Sequence, residues 1–398
     1  MKPIGNNNHI NFYSSLLSGL ILVGLMLTPG TLFADVPNVF SANEKALADE
    51  VNENFSNLDS RLSIIESSES LIPRQIDCGT DPDALKNAIT TGIGRFEITA
   101  GPCNGDIEVI RGGRYEISGS PDGTTTINGG LRFFSGYAKL TNLTISGRAT
   151  GNNFSLIRGR LALIETDGVT LNCNGVGRAV YLEASSLSFK DSSAKSCVNR
   201  TIKIINGSSL FLYGNVTLEN SDDKEVLWAR RSSTIEIWTN TNNKKIIINN
   251  NSGIEEVNAI GLSHGSSLMI HSDSGLELTG RVYADAQSSI EAENFIWNAS
   301  NGIRQVQLFN SSLTLSRATF TNVEIDVRYN SWVEISHGGL TNSTIDVRYG
   351  GVATIRGYGS DGTIVEENGG ASNNVYSHNG NSDLSEAPME FFHFHSYD

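Results

Sequence analysis

From Arg114 onward the chain repeats one short unit, small or polar, apolar, any, apolar. Its first apolar residue falls at Tyr115, Ala138, Leu161, Leu187, Leu210, Ile235, Leu268, Ile290, Leu313, Val333 and Ala353. Most of these anchors lie 20 to 26 residues apart, and one interval, Ile235 to Leu268, is wider. Self-similarity at this period means stacked copies of one supersecondary unit, each burying its apolar face against the next. The last two repeats make the period plain, because Thr321-Asn322 and Ile325-Asp326-Val327-Arg328-Tyr329 return as Thr341-Asn342 and Ile345-Asp346-Val347-Arg348-Tyr349. A leucine-rich repeat of similar length needs a Leu and Asn framework that is absent. Forty glycines, 38% hydrophobic and 18% charged residues suit many short strands joined by tight turns. The expectation is an all-β parallel β-helix of about eleven coils. A second strand in each coil ends near Asn, at Asn128, Asn172, Asn220, Asn298, Asn322 and Asn342, where Asn suits a left-handed corner and stacked amides can bond along the ladder.

The flanks differ from the repeats. Residues 1–34 read as an export signal, with Lys2 in the polar start, an apolar run from Leu16 to Leu27 that is short for a membrane span, and cleavage expected after Ala34. In residues 35–71, positions 43–66 predict a helix whose Val51, Phe55, Leu58, Leu62 and Ile65 step by the alternation of a coiled-coil seam. Two heptads are marginal for independent association, so the segment either self-associates or packs on the next domain. A shorter helix is signalled from Thr80 to Ile89, with Pro82 in its first turn, Thr80 or Asp81 as cap, and Leu85 and Ile89 as its apolar edge. The β-helix is expected to span 72–365, followed by a linker rich in Gly, Asn and Ser and a tail over 366–398, with Met389 to Phe394 covering the last coil.

The four cysteines form two sequential pairs, Cys78 with Cys103 and Cys173 with Cys197, whose spacings equal one repeat. Each pair is therefore expected to join neighbouring coils by a disulfide, which implies an oxidising compartment, periplasmic or extracellular. No CxxC pair is present, and no metal or other cofactor is expected. A formal net charge of −14 opposes contact with phosphate backbones and anionic membranes, so nucleic acid is not an expected partner, and no membrane span remains after signal cleavage.

A helix after a Cys, then Gly101-Pro102-Cys103-Asn104, Ile107-Glu108-Val109 and Thr124-Thr125-Thr126-Ile127, resembles the opening of secreted bacterial right-handed β-helix proteins of the pectin-lyase-like superfamily. The resemblance covers most of residues 72–360 and implies the fold. It leaves activity open, since the superfamily includes lyases, glycosidases and non-enzymatic adhesins. Asp222-Asp223 and Ser263-His264-Gly265 echo two elements of the polygalacturonase set, but its Asn-x-Asp and Arg-x-Lys partners are missing. The expected function is an exported envelope or surface module for structure or adhesion that binds carbohydrate. The alternative is a polysaccharide lyase or glycoside hydrolase with an unrecognised site.

The candidate ligand site lies in the duplicated strands. Alternation places Ile325, Val327 and Tyr329 on one face and Asp326 and Arg328 on the other, and Asp346, Arg348 and Tyr349 repeat this one coil on. Two carboxylates and two guanidinium groups on an exposed flank suit sugar hydroxyls or uronates, and equally suit a solvated charge ladder. A second outward column runs through Glu116, Lys139, Ala162, Ser188, Phe211, Glu236, Met269, Glu291, Thr314, Glu334 and Thr354. Phe211 and Met269, with Trp228, Trp238, Trp297 and Trp332, are candidate sugar platforms or coil-stacking residues. The insertion at Asn240 to Asn251 marks one flank as a place for binding. His393 and His395 share a strand side without a third metal ligand.

Overall fold

In the computed structural model, the described residues are 72–395 without 111, 148–153, 176, 240–243, 253–256, 273–274, 299–303, 337–338, 342, 357–363, 369–373 and 379–391. The export signal and the 43–66 helix lie outside the described residues. The described part is an all-β parallel solenoid of about eleven turns with one helix. Most turns contribute one strand to each of three faces among the described residues. Sheet one has 14 strands and sheet two has 13, while the third face carries an eight-stranded sheet and then a three-stranded one.

Register follows the repeat. Tyr115, Ala138, Leu187, Leu210, Ile235, Leu268, Ile290, Leu313, Val333 and Ala353 stack in one buried column of sheet one. One anchor is corrected. Ile164, not Leu161, takes its place between Ala138 and Leu187. Leu161 is 52% exposed because it sits at the corner between sheets two and one with φ 55°, so its side chain leaves the stack. The outward neighbour in that coil is accordingly Glu165 rather than Ala162.

That corner has a fixed construction. Leu161, Ala184, Asn206, Arg231, His264, Ala286, Asn310, Tyr329 and Tyr349 all adopt positive φ there, which turns the chain within one or two residues. Buried serines follow the corner and bond from coil to coil. Ser185 N–H donates to Ser208 Oγ (3.2 Å), Ser208 N–H to Ser233 Oγ (3.3 Å), and Ser233 N–H to Ser266 Oγ (3.3 Å). Each hydroxyl in turn donates to a carbonyl of its own coil, as Ser233 does to Arg230 O at 2.8 Å. The adjacent polar groups of a buried corner are thereby satisfied. The recurrent Ser-Ser before the anchor carried this signal.

Asn128, Asn172, Asn220 and Asn298 end strands as expected, but of the expected corner asparagines only Asn322 is left-handed, at φ 58°, and Asn342 lies outside the described residues; other left-handed asparagines, Asn142, Asn174, Asn206, Asn294, Asn310 and Asn330, lie elsewhere. Asn220 and Asn250, paired in register, cap main chain instead: Asn220 Nδ2 donates to Asn199 O (2.8 Å) and Lys224 O (3.1 Å), and Asn250 Nδ2 to Lys224 O (2.9 Å). Their amides hold the turn between the third face and sheet two.

The helix Ala84–Thr91 puts Leu85 and Ile89 into the core at the first coil. It begins later than expected, after Pro82, and Asp83 at its start makes no side-chain cap bond, while Asp81 Oδ1 accepts from Asp83 N–H in the preceding turn. Cys78–Cys103 and Cys173–Cys197 are both at disulfide distance, with Cα separations of 4.9 and 4.8 Å, as the one-coil spacing requires. At the other end the expected linker is corrected. Ile364–Asn368 and Asn374–His378 are strands that extend sheets two and one, and Phe392–His395 pairs in parallel with Ile364–Asn368. Polar composition did not prevent stacking, because the preceding coil supplies the backbone partners.

Candidate functional site

The duplicated strands Glu324–Arg328 and Thr344–Arg348 pair in exact register, Asp326 on Asp346 and Arg328 on Arg348. The exposed charge flank expected there is corrected, because Asp326 is 0% and Asp346 3% exposed. Arg328 grips Asp326 through both oxygens, Nε to Oδ1 at 2.7 Å and Nη2 to Oδ2 at 2.6 Å, and Gln307 Nε2 approaches Oδ2 at 3.4 Å. Arg348 bonds Asp346 through Nη2 to Oδ2, with its Nε buried and unpartnered, and this bond raises the guanidinium pKa further above its usual value. The guanidinium groups close over the carboxylates, so the charges neutralise one another beneath the surface. Tyr329 and Tyr349 also depart from simple alternation. Their left-handed backbone turns the rings outward to continue a ladder with Phe309, at 5.7 Å for Phe309–Tyr329 and 5.1 Å for Tyr329–Tyr349. The two tyrosine rings are nearly parallel, so the ladder largely uses its faces on itself.

A more open arrangement lies on the outer face of sheet one, beside the insertion. Residues Ser188, Lys190, Asp191, Phe211, Tyr213, Gly214, Trp238 and Lys244 line a wide cleft. Two outward columns build it: Ser188 and Phe211 in one, and Lys190, Tyr213, Trp238 and His271 in the other, one residue per coil. Neighbouring residues along a column are therefore about 4.8 Å apart. Trp238 is 42% exposed, and one of its faces is covered by His271, whose ring lies 4.3 Å away. Tyr213 is exposed and Phe211 half-buried.

The polar groups of the cleft are held in place. Lys190 Nζ meets Asp167 Oδ2 at 2.7 Å, and this bond raises the ammonium pKa above its usual value. Asp191 Oδ1 accepts from Asn215 N–H at 2.8 Å and from Lys244 Nζ at 2.9 Å. Burial pushes the Asp191 carboxyl up, but these two bonds outweigh it and leave the pKa below the ordinary value. Gly214, at φ +81°, permits this closeness, because a Cβ there would stand 2.6 Å from Asp191 Oδ1. Farther along the face Tyr137 donates to Glu165 Oε2 at 2.8 Å, and burial followed by that carboxylate pushes the phenol up to about 12.

The other sequence candidates separate. Trp297 is buried in a cluster with Phe295 and Phe320, so it serves the core. Trp332 is exposed on sheet one, and Trp228 lies half-buried on sheet two. Asp222 and Asp223 lie in the turn before the strand Leu227–Arg230, whereas His264 follows the neighbouring strand Asn258–Ser263, at the opposite end of the strand pair. They are not brought together as a hydrolase set. His393 and His395 pair in register with Glu366 and Asn368. Among the described residues no three His, Cys, Asp or Glu side chains group at metal spacing, and no helix is long and apolar enough to cross a membrane.

No family model matches this chain, and neither the curated proteins nor the solved structures contain a match. Geometry alone therefore carries the functional argument.

Proposed function

We propose that this protein is an exported glycan-binding β-solenoid, of the pectin-lyase-like type, acting in adhesion or envelope structure in the periplasm or outside the cell. The observation that carries the reading is the sheet-one cleft, where Phe211, Tyr213 and Trp238 offer ring surface beside Lys190, Asp191 and Lys244. Ring faces take up the C–H surface of a sugar, and fixed polar groups at its edge orient the hydroxyls. A straight column of such groups, repeated at each coil, suits an extended polymer. The two disulfides support a non-cytoplasmic location.

Binding is preferred over hydrolysis because the carboxylates at the cleft are already engaged, Asp191 by Lys244 and Asn215, Asp167 by Lys190, and Glu236, in register with Phe211, by Trp238 Nε1. A glycosidase site ordinarily needs two carboxyl groups with separated roles. The test is a glycan array with the parent, Trp238→Ala and Tyr213→Ala, run beside assays for reducing and unsaturated sugar ends. At least one glycan should bind the parent and bind each variant at least tenfold more weakly, without release of ends. Failure of the parent to bind any glycan, or equal binding by both variants, overturns the reading. Release of sugar ends that Asp191→Asn abolishes replaces it with the lyase or hydrolase.

A further inference from the structure

The outer face of sheet two carries a cluster that the cleft does not explain. Register places Arg158, Tyr181, Lys203 and Trp228 in one column over four successive coils. Three more cations flank it. Arg158 and Arg178 lie over the Tyr181 ring at 5.2 and 5.7 Å. Arg200 covers Trp228 at 3.5 Å, with Arg230 at 5.8 Å. Lys203 stands between the rings, 5.6 Å from Tyr181 and 5.0 Å from Trp228.

Elsewhere several cations of this acidic chain each meet a carboxylate. Arg132 meets Glu108, Lys190 meets Asp167, Lys244 meets Asp191, and Arg328 meets Asp326. On this strip the one ion pair among the described residues is Arg200 with Glu225 at 2.8 Å. The Nε atoms of Arg178 and Arg230 are buried without a hydrogen-bond partner. Burial holds the Lys203 ammonium down at about 8, with Arg178, Arg200, Arg230 and Arg231 adding repulsion. Five cations gathered around two rings cost the fold repulsion and desolvation, which weak cation–π contacts offset only in part. A ladder serving packing alone needs no such excess of one sign.

We propose that this strip is a second binding site, for a glycan bearing phosphate or sulfate groups. Arg178 lies against Tyr181, Arg200 and Arg230 lie against Trp228, and Lys203 stands between the two rings, so the cations share one stretch of the sheet face. A planar carboxylate fills one guanidinium fork, whereas a tetrahedral oxyanion presents three oxygens that several donors can share. The rings hold the cations in place: Trp228 already has a guanidinium on its face, so it is not free to stack a base or a sugar. Repetition along the solenoid axis favours a polymer over a single anion. A glycan is preferred over nucleic acid because the two disulfides favour extracytoplasmic ligands. This site is independent of the sheet-one cleft.

The test titrates the full mature protein with heparin, with polygalacturonate and with duplex DNA at low and moderate salt. Heparin should bind, weaken as salt rises, and bind at least tenfold more weakly to Lys203→Gln and to Arg178→Gln/Arg230→Gln. Trp238→Ala should bind heparin as the parent does, which separates this site from the cleft. The half-buried Lys203→Gln keeps the test valid if the double variant fails to fold. No heparin binding, or equal binding by Lys203→Gln, overturns the site. Polygalacturonate binding as tightly through the same residues overturns the preference for tetrahedral oxyanions, and tighter DNA binding overturns the glycan assignment.

Discussion

Arg328→Ala tests whether the duplicated Asp–Arg strands are a buried structural device. Arg328 gives Asp326 two hydrogen bonds at 2.6 and 2.7 Å, and Gln307 at 3.4 Å is a weaker neighbour. Removing the guanidinium leaves a carboxylate of zero exposure without its main counter-charge. Breaking a buried pair in this way costs about 3–5 kcal/mol. Because the Arg328 side chain is 19% exposed, water can enter where it stood, and the lower end, about 3 kcal/mol, is expected. Loss of the Arg328 contact over the Phe309 ring, at 5.4 Å, adds about 0.5–1 kcal/mol. Asp326→Asn combined with Arg328→Ala removes the stranded charge and should recover roughly 2 kcal/mol of the loss. Urea unfolding followed by far-ultraviolet circular dichroism measures the totals. Hydrogen exchange over residues 304–356 localises them, since solenoid stability is a sum over neighbouring coils. A single variant within about 0.5 kcal/mol of the parent, the range of ordinary surface changes, would show that the carboxylate is solvated and refute the reasoning.

Three further outcomes follow from the same geometry. Lys203 has a folded pKa of about 8 against an ordinary 10.5, so the unfolded chain binds more protons between those values and stability rises with pH across that window. Lys203→Gln should therefore stabilise the protein below pH 8, by no more than about 1 kcal/mol after solvent screening, with the difference from the parent vanishing by pH 10.5 in thermal melts; a destabilised variant at pH 7 contradicts this. Ser233→Ala removes an acceptor from the Ser208 N–H and should cost about 1–3 kcal/mol in urea unfolding, with Ser233→Thr milder than Ser233→Ala if the hydroxyl is what matters. Replacing Cys173 and Cys197 by Ser should lower stability by about 3–4 kcal/mol for a loop of this length, and peptide mapping without reductant should return the Cys78–Cys103 and Cys173–Cys197 linkages in the parent.

The solenoid, its register and its cysteine pairing were legible in the residue pattern, because a stacked fold writes one apolar anchor per coil at a nearly constant interval. Ten of the anchors read from the pattern stack as expected, and Leu161 failed since the three-residue step to Ile164 depends on a left-handed corner that apolar spacing does not encode. The tertiary structure decided what the charges do. Alternation correctly put Asp326 and Arg328 on the face away from the core, but outward did not mean exposed, because the neighbouring coils and the folded-over guanidinium groups shut the carboxylates from water. The strip of Arg158, Arg178, Arg200, Lys203 and Arg230 was illegible for the opposite reason. Its members are scattered between residues 158 and 230 among unrelated polar residues, and only the coil register that sets Tyr181 beside Lys203 and Lys203 beside Trp228 turns scattered cations into one site. Periodicity fixes which residues share a coil position, whereas burial and charge balance depend on side chains from several coils acting together.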